Sequence, residues 1–182
     1  MKIISAVVVL ILAGCAASQE KLEAVGRRES SRIAPPTKRF SSYARYELKP
    51  MVLSPTLRNE ERKVKAAGEL EVVLRAKLQP LLNEWQAAPA AGRSGTLTIE
   101  PQLADLRIIS AGARFWAGGL AGDSNIDMDL FIADQSSGQE IAKPRISQHA
   151  GAVAGGFSIG KSDQNLLDYI ASTAYFYLKD NY

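Results

Sequence analysis

Few residues of this chain are of types that catalysis or metal binding would use, and their spacing limits the chemistry further. The sequence contains one cysteine, Cys15, and one histidine, His149. A site built from imidazole and thiolate ligands needs more of both than the chain supplies. A Ser-His-Asp triad would have to use His149, yet no G-x-S-x-G elbow accompanies it. Asp127 and Asp129 alternate along one stretch, which on a strand puts them on one face about 7 Å apart. Carboxylate pairs at that spacing serve glycoside hydrolysis or cation binding, and they also simply solvate an outward strand face. Gly155 to Ser162 reads GGFSIGKS and fits G-x-x-x-x-G-K-[ST], with Gly155, Gly160, Lys161 and Ser162 in position to meet an anion ahead of a helix. Pro144 interrupts the strand before it and no acidic strand is marked as a metal holder, so weak anion capture is the reading retained. Arg114, Phe115 and Trp116 stand among glycines that cannot bury them locally. Such aromatics either pack into the core or meet a partner. No cofactor, no metal and no catalytic residue is expected.

What, then, is the single thiol for? It ends a segment with one early charge, Lys2, an apolar run from Ile3 to Leu12, and the small residues Ala13 and Gly14. That is the layout of a secretory signal. The run is too short to cross a hydrocarbon core, which takes ~20 helical residues. Leu12-Ala13-Gly14-Cys15 resembles the bacterial lipobox, and the resemblance implies cleavage after Gly14 with a thioether-linked diacylglycerol on Cys15 and usually an acyl group on the new amino terminus. Only a nucleophilic sulfur serves there. One chain holds a protein marginally, at ~0.8 kcal/mol per buried CH₂, whereas two or three on one residue hold it firmly. Ala16 and Ala17 follow where Asp would mark retention, which resembles lipoproteins sent on to the outer membrane of a Gram-negative cell. The partner implied through Cys15 is therefore the lipid bilayer. With that thiol committed, no disulfide staple is possible, and the fold must rest on its core.

The net charge of +3 does not signify nucleic acid. From Cys15 to Lys49 there are eight Lys/Arg against four Asp/Glu, and from Pro50 to Tyr182 thirteen against fifteen. The basicity lies beside the membrane, where Arg27, Arg28, Arg32, Lys38 and Arg39 are mixed with serines and Pro35-Pro36. That composition reads as a solvated tether over 15–37, attracted to anionic surfaces. Residues 1–14 are then the signal peptide and 38–182 a single domain, of a size that buries about 70% of its unfolded surface.

Within that domain, Phe40 to Leu53 reads as an edge or bulged strand broken by Pro50. Val64, Ala67, Leu70, Leu74, Leu78, Leu81 and Trp85 form a helical stripe in which Pro80 predicts a kink or break. Thr96 to Ile109 is a long strand whose inward parity switches near Ala104-Asp105, as at a bulge. Ser124 to Asp134 alternates cleanly, Gln135 to Gly138 is turn chemistry, and Gln139 to Ala150 is the hairpin partner. A last helix starts at Ser162, with Leu167, Ile170, Ala174 and Leu178 buried. The order predicts an α+β fold: one mixed, mainly antiparallel sheet with two helices on one face.

The span Ser110 to Tyr182 resembles uncharacterised bacterial lipoprotein families. The matching features are Gly112-Ala113-Arg114, the alternating strand, Asp134 with Gly138, and the Gly-rich stretch Gly151 to Gly160. More distantly, the element order is similar to the small α/β domain of TolB and to the curli secretion lipoprotein. The expectation is an envelope lipoprotein facing the periplasm, acting as a non-catalytic interaction or accessory component with an envelope protein as partner. The alternatives are a subunit of an oligomeric secretion channel and a hydrolase using Asp127 and Asp129.

Overall fold

The computed structural model describes residues 20–107, 124–149 and 162–182. Helix α1 spans 20–30. A 3-10 turn at Phe40–Ser42 leads into strands β1 (Arg45–Leu48) and β2 (Val52–Leu53). The short helix α2 (Pro55–Arg58) precedes the long α3 (Glu61–Ala87), and strands β3 (Thr96–Arg107), β4 (Asn125–Asp134), β5 (Glu140–Ala142) and β6 (Arg145–His149) follow, with α4 (Ser162–Asp180) last. The class is α+β, as the sequence predicts.

Helix α3 follows from its leucines. Leu70, Leu74, Leu78, Leu81 and Trp85 recur at three or four residues and are buried; Val64, expected on the same stripe, is 41% exposed, so the stripe begins one turn later at Ala67. The expected break at Pro80 does not occur, and the helix runs on to Ala87. Pro80 and Ala76 both lie on the solvent side, so the carbonyl that loses its donor can be hydrated. The 27-residue helix joins β1 to β3, which pair in parallel, as a helical crossover allows and a tight turn does not.

β3 is the centre of the sheet. On one side it pairs in parallel with β1 and then, past Pro50, with β2. On the other it runs antiparallel to β4, which in turn pairs antiparallel with β5 and β6. The predicted bulge is present: the register shifts between Leu103 and Asp105, leaving Ala104 unpaired. Pro144 separates β5 from β6, and its carbonyl still accepts from the Leu130 amide at 2.9 Å. The β4–β5 turn closes as its residues require. Gly138 takes φ 68° and its amide donates to the Asp134 carbonyl at 2.8 Å. The Asp134 Oδ1 accepts from the Ser136 and Ser137 amides at 2.9 and 3.2 Å, an Asx turn. The Ser136 hydroxyl donates to the same oxygen, and this bond first, with the two amides, holds the Asp134 carboxyl well below the usual range, at about 2.

Leu97, Ile99, Leu103, Leu106, Ile126, Met128, Leu130 and Ile132 point to one face and are buried under α3 and α4. The opposite face, with Glu47, Glu100, Gln102, Asp127 and Arg145, stays partly open. At the foot of the core Tyr46, Trp85 and Tyr182 cluster, with Trp85 and Tyr182 stacked at 4.3 Å between centroids. Arg93 ties them, donating to the Tyr182 hydroxyl at 2.8 Å and to the Trp85 carbonyl at 3.3 Å.

One expectation needs correcting. Residues 20–37 do not form a solvated tether, because 20–30 is a helix docked on α4. Leu22, Gly26 and Ser30 are buried, at successive four-residue spacing, and a Cβ built on Gly26 would lie 2.8 Å from the Ser172 Cβ. Arg27 covers the Phe176 ring at 4.4 Å, and Glu23 meets Lys77 of α3 at 3.5 Å. Of the basic residues that suggested a tether, Arg27 and Arg28 lie on the exposed side of this helix, and Arg32, Lys38 and Arg39 are exposed in the segment that follows it. After it, residues 31–39 stay attached: Tyr177 donates to the Ala34 carbonyl at 3.1 Å, and the Thr37 amide donates to the Ile141 carbonyl at 3.0 Å. Ser172 lies two residues, hence about 200°, around α4 from the inward-packed Ile170. Helix α1 is therefore a third layer, over the helices and remote from the sheet.

Candidate functional site

The open face of the sheet is where the described polar side chains converge. Strand pairing aligns Val52, Gln102, Asp129 and Arg145 in one row across β2, β3, β4 and β6. Alternation puts all four on the side away from α3 and α4. The bulge at Ala104 widens the β2–β3 side of this row into a cleft of about 350 Å³, lined by Val52, Ser54, Pro55, Arg58, Gln102 and Asp129 among others. Its polar side chains have partners within the chain. Arg58 Nε donates to the Leu53 carbonyl at 2.9 Å, Ser54 and Thr56 share a 3.0 Å hydroxyl contact, and Gln102 donates to Glu100 at 2.7 Å.

Asp127 and Asp129 share this face, as their spacing predicts. They do not form a pair of free carboxylates. Asp129 is 9% exposed and receives two hydrogen bonds from Arg145, Nε to Oδ1 at 2.8 Å and Nη2 to Oδ2 at 3.1 Å, with the Lys143 ammonium at 4.0 Å. Such a fork occupies the lone pairs that a general base or nucleophile would use. The hydrogen bond to Asp129 and its charge raise the Arg145 pKa further. Asp127 lies opposite Asp105 across the β3–β4 ladder, an unfavourable like-charge pairing. Asn125 relieves it, its Nδ2 donating to Asp105 at 2.9 Å and reaching Asp127 at 3.5 Å. His149 ends β6, exposed and in register with Asn125. Among the described residues no group of three or more His, Cys, Asp or Glu is placed to hold a metal ion. None of the described helices is long and apolar enough to cross a membrane.

Several residues singled out by sequence fall outside the described residues: Gly14 and Cys15, the trio Arg114, Phe115 and Trp116, and Gly155, Gly160 and Lys161. Ser162 is the first residue of α4, and its side chain falls outside them too. The residue that sequence reading missed is Arg145. Its signal was available: a hairpin that pairs β4 with a following strand puts one residue of that strand opposite Asp129, and a basic one there is a ready counter-ion.

No protein-family model and no curated protein matches this chain. Among solved structures, two PelC dodecamers from Paraburkholderia phytofirmans are similar to it. One, a point variant, is 10% identical with a TM-score of 0.39, covering 78% of this chain and 93% of its own. The other is 9% identical with a TM-score of 0.37, covering 76% and 93%. At this level of likeness neither the fold nor the assembly of PelC transfers to this chain.

Proposed function

We propose that this protein is a lipid-anchored component of the bacterial envelope, held at a bilayer through acylated Cys15, and that it works by contact with another envelope protein and not by catalysis. The observation that carries the reading is the order of features at the amino terminus: a charged start, a short apolar run, Leu12-Ala13-Gly14-Cys15, and a folded body beginning within a few residues. Localisation to the outer membrane, facing the periplasm, follows from Ala16 and Ala17 in the same reading. A non-catalytic role accords with Asp129 being clamped by Arg145 and with a cleft whose polar groups are already partnered.

The test is the mass of the chain purified from membranes of the producing cell. It should begin at Cys15 and carry the added mass of a diacylglycerol and an acyl group, and Cys15→Ser should lack that mass, either staying at the membrane with its signal uncut or being cut elsewhere and released into the soluble fraction. A chain with a free thiol at Cys15 refutes the proposal. The channel-subunit reading is decided by the same preparation: a ring in detergent, resolved by native mass, would favour it over a protein acting as a single copy.

A further inference from the structure

The leash between the anchor and the folded body is short, and this fixes which side of the molecule faces the membrane. Only residues 16–19 separate Cys15 from the described start of α1. However those residues are arranged, the five Cα steps from Cys15 to Glu20 span at most about 18 Å. Helix α1 lies on α4, and α4 lies on the sheet, as Gly26 against Ser172 and the packing of α4 on β4 and β6 establish. Layers of this kind stack about 10 Å apart, so α1 stands about 20 Å from the plane of the sheet. The side chains of the open face extend further still. Were that face laid on the headgroups, Glu20 would stand farther from the surface than the leash reaches.

We infer that the acylated protein rests with its α1 side toward the bilayer and its open sheet face turned to the aqueous compartment. This rests on the reading that Cys15 carries lipid. The surface around the start of α1 carries Lys21, Lys77 and Lys179 beside the exposed carboxylates of Glu20 and Glu23, the second paired with Lys77 at 3.5 Å. Lys21 is exposed there, and Tyr175 is flanked by the Lys77 and Lys179 ammonium groups at 5.8 and 5.5 Å from its ring centre. Lys179 also donates to the Tyr175 hydroxyl at 3.4 Å. Lysine stems and a tyrosine ring lie well at a membrane interface, with apolar bodies and polar tips. The occupant of this side is therefore the phosphate-bearing surface of the bilayer. The row Val52, Gln102, Asp129 and Arg145 is left free for a soluble or periplasmic partner.

The experiment uses the full acylated chain in vesicles of phosphatidylethanolamine and phosphatidylglycerol. Lys21→Cys and Ser147→Cys, both at exposed positions, are labelled singly with a fluorophore, the Cys15 thiol being blocked by its lipid. A quencher carried on the lipid headgroups should quench the label at 21 several-fold more than the label at 147. A second variant adds about 30 Gly/Ser residues between Ser18 and Gln19, which lets the ends separate by about 30 Å root-mean-square. That variant should bring the two quenching levels together. Equal quenching without the insertion, or stronger quenching at 147, overturns the inference; a contrast that survives the longer leash keeps the orientation and assigns it to the lysine and tyrosine surface. The anchor is checked separately by mass and by flotation with the vesicles. An acylated, floating chain without the contrast sinks the orientation alone, whereas an unmodified Cys15 sinks the anchor and the orientation together.

Discussion

Two glycines on two helices make a controlled test of how α1 is held. Gly26 in α1 and Gly68 in α3 are both helical, so changing either to Ala removes backbone freedom from the unfolded chain and gains up to about 1 kcal/mol of helix propensity. Their surroundings differ. A Cβ at Gly68 meets nothing within 4 Å, while one at Gly26 would lie 2.8 Å from the Ser172 Cβ, 3.0 Å from its carbonyl carbon and 3.1 Å from the Thr173 nitrogen. Two of those three atoms are backbone, which cannot rotate away. Overpacking of this kind costs about 1–3 kcal/mol. Because the propensity gain is common to both variants, it cancels in their difference, and the difference reports the clash alone. For a chain of this size each kcal/mol moves Tm by about 2–4 °C. Gly68→Ala should therefore melt above the parent, and Gly26→Ala about 2–12 °C below Gly68→Ala in parallel thermal scans. Hydrogen exchange should show the loss concentrated in α1. If the two variants melt together, α1 is not seated on Ser172, and the α1 side is not held at the bilayer by a short leash.

Three further outcomes concern ionisable side chains. Asp134 has its pKa lowered to about 2 from 3.8 by the Ser136 hydroxyl and then the turn amides; its contribution is complete above the unfolded value and is lost as pH falls through about 2. The stability gap between the parent and Asp134→Ala should thus shrink between pH 5 and pH 2 in acid denaturation. Burial pushes the Tyr46 and Tyr177 hydroxyls up to about 12, so stability should fall as pH rises from about 10 through 12, and Tyr177→Phe should remove one late step from the tyrosinate absorbance titration. Arg145→Ala leaves the largely buried Asp129 carboxylate without its fork. Tm should drop, and adding Asp129→Asn should recover part of the loss; a double variant no better than the single one would show that the fork contributes nothing.

The sequence carried the inner elements well because their periodicity is set by burial. The leucines of α3, the stripe Leu167, Ile170, Ala174 and Leu178, and the alternation from Ile126 to Ile132 each report one buried side, and even the parity switch at Ala104 survives as a bulge. Helix α1 escaped notice for a physical reason. Its inner side is Leu22, Gly26 and Ser30, two of them small enough to let helices approach closely and none except Leu22 strongly apolar, while its outer side is basic. Close approach leaves little hydrophobic signal, and a glycine with arginines not far behind the apolar run Ile3 to Leu12 resembles a linker. The parallel pairing of β1 was likewise hidden, since alternation does not state strand direction. On the candidate site, the shared face of Asp127 and Asp129 was legible from spacing, but the clamp by Arg145 depends on the β4–β6 register, which Pro144 and the broken hairpin obscure.

Both outer margins of the sheet are interrupted by a proline, Pro50 between β1 and β2 and Pro144 between β5 and β6. A proline offers no amide to an incoming strand, so neither margin presents a long uninterrupted ladder for another chain to extend. Where copies of the chain are crowded together, these interruptions in the described margins guard against zipping into fibres.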